Sequence, residues 1–378
     1  MTNSKIDFSQ VIEKPEEMTL YSALVQKILD YLKNNGKSTF QQIVKYVEGS
    51  DRRTLRLLNQ MVECEMIKFD HPYFLSIDSD VPVITVDSVR CDKCDSKMVA
   101  IDGKLKEILV TMEEIFAKKP KPTFVFDQRP VNAVTTVRRV GYAVLRGDLN
   151  DKNIVVIGDD DLTSIALALT GMPKKVTVFD IDKRLLDYIS KVSAERNLNI
   201  EVVNQDLTKG VSDEFFGKFD VFTTDPTPSE KPFTVFTNIG IDLVKPNGVG
   251  YISINPSHSL KLIELQRVMT DMNLLITDSI PYFTQYDFIP HTYSDNDKVL
   301  LEKYASPESK ISFYEYLIRT EKTELTKKVN VDFDLSEIIG KATKRVLDDP
   351  SKDPVLSGNE DDYEYVKSMA DLLVKNIK

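Results

Sequence analysis

Three cysteines in 378 residues, Cys64, Cys91 and Cys94, are too few for a disulfide framework. No apolar run approaches the roughly 18 residues of a membrane span, so no membrane partner is expected. Tryptophan is absent, which excludes no class of function. The opening residues, MTNSKIDFSQVIEKPEE, are polar and acidic rather than signal-like, and a cytoplasmic location is expected. A basic surplus is lacking too: 49 Lys and Arg stand against 59 Asp and Glu, a net charge of −10. That balance disfavours general nucleic-acid binding and favours small cationic ligands.

The most informative shortage is of glycine at one turn. The strand-like run Ile154-Val155-Val156-Ile157 leads into Gly158-Asp159-Asp160-Asp161. In nucleotide-binding α/β domains this turn is normally glycine-rich, and its N–H groups hold an anion with the following helix N-terminus. Here one glycine remains and three carboxylates follow it. The sign of the site is reversed, and it is suited to a cation.

Residues 1–90 read as a winged-helix-like domain. Leu20, Leu24, Ile28 and Leu32 recur at helical spacing; Thr39 is placed to cap a second helix through Val47, and Asp51 a third through Met66. Ile67 to Ile77 reads as two strands around His71-Pro72. Arg52, Arg53 and Arg56 stand where a DNA-reading helix carries its basic residues. Against that, residues 1–90 hold 11 Lys and Arg to 13 Asp and Glu, so the basic footprint is missing. A packing or dimerisation module is the better reading, and a homodimer is expected.

Residues 91–122 form a CxxC turn, an amphipathic helix over 101–118 and a Lys-Pro linker. Cys91 and Cys94 are half of a zinc site, which Cys64, His71 or a symmetric partner would have to complete. A redox-inert thiol pair and a decayed metal site are the competing readings. Phe124 to Asp127 reads as a short strand or loop, and a helix over 135–146 ends at Gly147-Asp148. Residues 123–330 then follow a β-α-β-α pattern, with strands at Ile154–Ile157, Val176–Phe179, Ile200–Val203, Val221–Thr224 and Val249–Ile254. Helices fall near 162–170, 182–196, 232–244 and 257–271, and Leu274–Ile280 and Phe313–Ile318 are candidate last strands. This is an α/β, Rossmann-like, doubly wound parallel sheet. Residues 331–378 read as a helical extension, helices at 334–347 and 361–377, with a mobile linker from Asp348 to Asp362.

Acidic residues then fall at the carboxyl ends of successive strands, where such sheets bind ligands. Each alone reads as well as a helix cap, and Asp161, before Leu162-Thr163-Ser164, looks like one. Asp180 lies 22 residues after Gly158, near the spacing at which a carboxylate meets ribose hydroxyls. Asp182 is as well suited to capping as to binding, Asp206 falls where the adenine amino group is met, and Asp225 points at the acceptor. Decarboxylated S-adenosylmethionine keeps its sulfonium and loses the carboxylate of the parent compound. An Asp159-Asp160 pair attracts it and repels the parent, by roughly 1–4 kcal/mol at realistic dielectric. The same pair suits a polyamine acceptor, with Asp159 as proton acceptor and Asp160 holding an ammonium.

The block GDDDLTSIAL at 158–167, followed by Gly171-Met172-Pro173-Lys174, resembles the branched-chain polyamine synthases, aminopropyltransferases that make N4-bis(aminopropyl)spermidine. Phe126-Asp127-Gln128, Thr135-Thr136-Val137, Arg146-Gly147-Asp148-Leu149, Asp180-Ile181-Asp182, Thr224-Asp225-Pro226 and the CxxC pair carry it too. The resemblance spans roughly residues 90–320. It implies the class I S-adenosylmethionine-dependent transferase fold, decarboxylated S-adenosylmethionine as co-substrate, spermidine as acceptor and no metal in the chemistry. It places the catalytic carboxylate on Asp159, acceptor contacts on Asp160, Asp225, Tyr286 and Asp127, and donor contacts on Gly158, Asp180, Asp182 and Asp206. The chain departs from the family pattern at Val134, at Thr227-Pro228-Ser229 and at Gln285, where carboxylates are expected. A methyltransferase on the same fold and a polyamine-sensing winged-helix regulator are the two rival readings.

Overall fold

The computed structural model describes residues 18–47, 51–76, 91, 93–94, 97–129, 131–227, 229–254, 259–286, 294–305, 313–331, 346, 348–357 and 362–375. The chain divides into two compact units, one of Met1–Cys91 with Gln285–Tyr314, the other of Asp92–Thr284 with Glu315–Lys378.

The first unit opens with α1 (Met18–Asn35), β1 (Ser38–Thr39), α2 (Phe40–Val47) and α3 (Asp51–Glu63). In α1, Val25, Ile28, Leu29 and Leu32 make one buried stripe. The expected Thr39 cap is a reciprocal one. Gln42 N donates to Thr39 Oγ1 (3.3 Å), and Thr39 N donates to Gln42 Oε1 (2.8 Å). Strands β2 (Ile67–Asp70) and β3 (Tyr73–Ser76) form the hairpin around His71-Pro72, and β1 adds to β3 in an antiparallel sheet ordered β1-β3-β2.

The second unit begins with α4 (Gly103–Phe116), a 3-10 turn at Phe124–Phe126 and α5 (Ala133–Arg146). Next come β4 (Asn153–Ile157), α6 (Thr163–Leu169), β5 (Lys175–Asp180), α7 (Lys183–Arg196) and β6 (Ile200–Asn204). The chain continues through β7 (Phe219–Thr224), α8 (Glu230–Leu243), β8 (Val244–Ile254), α9 (Ser259–Asp271) and β9 (Leu275–Tyr286). It then enters α10 (Asp295–Tyr304), which packs in the first unit. Arg56 of α3 forks onto Asp297 of α10, Nε to Oδ1 at 2.7 Å and Nη2 to Oδ2 at 2.8 Å. Tyr304 donates to Asn59 Oδ1 and sets its ring edge-on to Phe69 and tilted against Phe74. One of the three arginines with DNA-reading spacing is therefore committed to an internal carboxylate.

The chain returns as β10 (Phe313–Glu321), completing a seven-stranded sheet ordered β6-β5-β4-β7-β8-β10-β9. Strands β6 to β8 are parallel, as expected. The sheet as a whole is mixed, because β10 pairs antiparallel with β8, Leu317 opposite Ser253. A strand arriving without a crossover helix is free to run that way. Strand β4 is apolar on both faces. Ile154 and Val156 join a core with α4 to α7, while Val155 and Ile157 join a core with α8 and α9.

The last described helix is α11 (Tyr363–Lys375). The expected helix over 334–347 lies almost wholly outside the described residues. The stretch with linker composition is docked instead. Buried Asp353 accepts from Thr123 Oγ1 (2.8 Å), Phe124 N (2.7 Å), Val355 N (2.8 Å) and Leu356 N (3.0 Å). Segment 124–127, read as a strand or loop, is the 3-10 turn that Asp353 holds, and Asp127 ends it in the left-handed region.

Candidate active site

Strand order reverses between β4 and β7, so the carboxyl ends of these two strands flank the crevice in which such sheets bind ligands. Gly158 leaves β4 at φ +73, and a Cβ there would meet only Phe236 Cε1 at 3.8 Å. The left-handed backbone there favours glycine. Its N–H donates to Phe179 O, tying the turn to β5.

Asp159 is almost fully buried and accepts from the backbone N and the Oγ of Ser164 at the start of α6. Asp161 was placed as the cap, yet Asp159 closes this helix start. The reason is geometric: Leu162 precedes α6 at φ +53, a left-handed turn that carries the Asp161 side chain away from the helix. The protein therefore supplies its own carboxylate at the amide that a ligand anion meets in related turns. Burial pushes the Asp159 carboxyl well above the ordinary carboxylate range, opposed by the two Ser164 hydrogen bonds and reinforced by Asp161 and Asp180.

Asp161 pairs with Arg139 of α5, Nη1 to Oδ2 at 2.5 Å. The other Nη of Arg139 is bonded to Asp225 Oδ2, and its Nε donates to Thr284 Oγ1 at 3.2 Å. One buried guanidinium thus joins the loops after β4 and β7 to β9. Burial raises Asp161 to about 6, with Arg139 pulling it down and Asp225 pushing it up. Asp160 is the half-buried member of the triplet. Its Oδ2 accepts from Arg129 N at 3.2 Å, while its carbonyl accepts from Lys119 Nζ at 3.0 Å. It too is raised well above the ordinary range, first by burial and then by Asp161, with Lys119 opposing.

On the donor side the carboxylates face backbone. Asp180 accepts from Asp159 N (2.9 Å) and Asp182 N (2.8 Å), and burial lifts it to about 6. Asp182 caps α7 through Arg184 N (3.1 Å), pairs with the Arg184 guanidinium (2.7 Å) and accepts from Gln128 Nε2 (3.0 Å). Of the two roles weighed for Asp182, the structure shows the cap. Asp206 caps its own 3-10 turn through Thr208 N (3.1 Å) and Oγ1 (2.6 Å). Asp127 accepts from Thr227 Oγ1 at 2.9 Å, beside Arg129 at 3.7 Å, so it lies against the turn after β7. Tyr286 ends β9, buried, and falls in the first unit.

Arg139, Ser164 and Lys119 were missed as site residues by sequence reasoning. The available signal was charge balance: clustered acids at a sheet edge demand a buried cation, and α5 buries two, Arg138 and Arg139. None of the three cysteines forms a disulfide. Among the described residues no group of three or more His, Cys, Asp or Glu is arranged to hold a metal, and no helix is long and apolar enough to cross a membrane.

A sheet of this order, with its acidic edge at the reversal between β4 and β7, defines an α/β fold of the Rossmann-like, doubly wound class. Comparison with known proteins narrows the class. The family model described as the branched-chain polyamine synthase A C-terminal domain matches residues 107–344. The N(4)-bis(aminopropyl)spermidine synthase of Thermococcus kodakarensis is 32% identical over 291 residues, 73% of this chain and 82% of that one. The protein of the same name from Methanocaldococcus jannaschii is 37% identical over 205 residues, 53% of this chain and 58% of that one. The branched-chain polyamine synthase from Thermus thermophilus, solved in complex with N4-aminopropylspermidine and 5'-methylthioadenosine, has a similar fold. Its TM-score is 0.68 at 21% identity, over 87% of this chain and 97% of that one. The chain belongs to the branched-chain polyamine synthase family and is an aminopropyl-transferring enzyme.

Proposed function

We propose that the enzyme moves the aminopropyl group of decarboxylated S-adenosylmethionine onto a polyamine nitrogen, N4 of spermidine, and releases methylthioadenosine. One observation carries this reading. Where nucleotide folds receive an anion, this chain seats its own Asp159 on the helix-start amide, with Asp161 and Asp180 acting on it and Asp160 set among Asp161, Asp180 and Asp225. A ligand carboxylate would meet an occupied amide and a negative wall. The relatives' names, and the ligands of the Thermus complex, point the same way.

In the reaction the lone pair of the secondary amine forms a C–N bond to the propyl carbon attached to sulfur. The C–S pair stays on sulfur, which becomes a neutral thioether, and the amine proton passes to a carboxylate. A carboxyl with raised proton affinity suits that task near neutral pH. Asp159 is assigned as the acceptor of the proton. Gly158, Asp180, Asp182 and Asp206 frame the nucleoside, and Asp160, Asp225 and Asp127 the polyamine. No step calls for a metal. A second reading of the base is favoured by exposure: Asp160 is half-buried and Asp159 is tied to Ser164, so Asp160 takes the proton and Asp159 sets the loop. The N-terminal three helices and three-stranded sheet are of winged-helix type and serve packing.

Mass spectrometry after incubation with decarboxylated donor and a panel of amines tests the reaction; the expected product is aminopropylated spermidine. Tighter binding of S-adenosylmethionine than of its decarboxylated form would reject the reading. Asp159→Asn is expected to lower kcat by about 10³ and Asp160→Asn chiefly to raise the acceptor KM. The reverse pattern moves the base to Asp160.

A further inference from the structure

Arg139 is a buried guanidinium set among the carboxylates of the acidic sheet edge. It is 8% exposed and anchored on three elements: Asp161 after β4, Asp225 after β7 and Thr284 on β9. Asp161 and Asp225 are bonded to it, Asp160 is acted on by both of these carboxylates and by Lys119, and Arg138 is a second buried cation on the same helix. A site that only had to bind a polycation would be better without Arg139. The reaction asks for more than binding, because the attacking nitrogen has to lose its proton. Surplus carboxylates hold that proton on the amine, while a fixed cation beside the amine loosens it. Asp161 and Asp225 together carry two negative charges, and Arg139 brings the sum to one.

We propose that Arg139 is a positioning residue that trims the acidity of the acceptor pocket, so that the bound amine sheds its proton near neutrality, at the expense of acceptor affinity. This inference rests on the polyamine-acceptor reading above. It makes a prediction that a purely structural anchor does not. Removing the charge tightens acceptor binding and slows the chemical step at the same pH.

The test is a set of kcat and KM profiles against pH with decarboxylated donor and spermidine. In Arg139→Gln the acceptor KM falls, the acid limb of kcat moves up by about one pH unit, and kcat at pH 7 drops about tenfold and recovers at higher pH. Arg139→Lys keeps the charge, and its acid limb stays at the wild-type pH. The double variant Arg139→Gln/Asp161→Asn restores the local sum of charges and returns the limb to that pH. If Arg139→Gln does not fold, Arg139→Lys and the neutral double variant decide alone; a displaced limb in either overturns the inference. It is overturned equally by an Arg139→Gln whose KM rises with the profile unmoved. Wild-type enzyme without turnover on any polyamine ends the underlying reading instead, so the two failures are distinct.

Discussion

Two stretches of one sheet edge are both acidic and are built differently. Past β5 and β6, Asp180, Asp182 and Asp206 accept from backbone N–H groups of their own turns, at Asp182, Arg184 and Thr208. Past β4 and β7, Asp160, Asp161 and Asp225 reach partners far along the chain, Arg129 N and the Arg139 guanidinium. The first stretch is set largely by local turn chemistry, to which Asp159 N on Asp180 and Gln128 Nε2 on Asp182 add two distant donors. The second depends on the whole domain being assembled, so its electrostatics are tuned by tertiary structure.

The largest expected effect tests that difference in stability. Arg139→Met removes a buried guanidinium from buried Asp161 and half-buried Asp225, and urea unfolding is expected to show a loss of about 3–5 kcal/mol. Arg184→Met leaves Asp182 its bonds from Arg184 N and Gln128 Nε2, and the expected loss is about 1–2 kcal/mol. Equal losses would erase the distinction between the two stretches.

The same distinction explains what could be read from the chain. The apolar runs of β4 to β8 and the helices between them are local patterns, and the structure has them within a few residues of the expected places. The Thr39 cap and the Asp182 cap obey short-range rules and were legible for that reason. The closing of α6 by Asp159 in place of Asp161 was not. It turns on the left-handed backbone at Leu162, a residue type whose sequence gives no warning of it. Nor does anything local announce that α10, more than 200 residues after α3, carries the Asp297 that receives Arg56. The candidate carboxylates were therefore found, while the cation that organises them was found only in three dimensions.

A smaller effect is expected from pH. Asp161 and Asp180 have carboxyl pKa values of about 6 in the fold against 3.8 ordinarily, both because of burial. The folded chain then binds protons more tightly than the unfolded chain, so stability falls as pH rises from about 4 through 6. Each group contributes on the order of 2–3 kcal/mol to that loss. Thermal melts without ligand are expected to show a higher Tm at pH 5 than at pH 7. Asp161→Asn and Asp180→Asn should each flatten the difference, and an unchanged slope in both would remove these groups as its source.

Ser164 links the donor loop to the proposed base. Its Oγ and N both donate to Asp159, and both bonds pull the Asp159 carboxyl down against the burial that raises it. Ser164→Ala removes one of them, with an expected cost of about 1–2 kcal/mol. The proton affinity of Asp159 rises, so the acid limb of kcat is expected to move to higher pH. A limb that stays put while Asp159→Asn is inactive would show that Asp159 acts without titrating in that range.

The smallest effect separates a cap from a ligand at Asp206. The carboxylate closes the turn at Leu207–Lys209 and lies where the adenine amino group is proposed to sit. Asp206→Ala loses the cap, an expected cost of about 1 kcal/mol, seen as a Tm lowered by about 2–4 °C. Asp206→Asn keeps a capping oxygen and removes the charge, so the Tm is expected to return to wild type. The donor KM should remain raised a few-fold, because a neutral amide accepts from the adenine amino group more weakly than a carboxylate does. An Asn variant that restores both Tm and donor KM would make Asp206 a cap alone, and the nucleoside would then be held at this edge by Asp180.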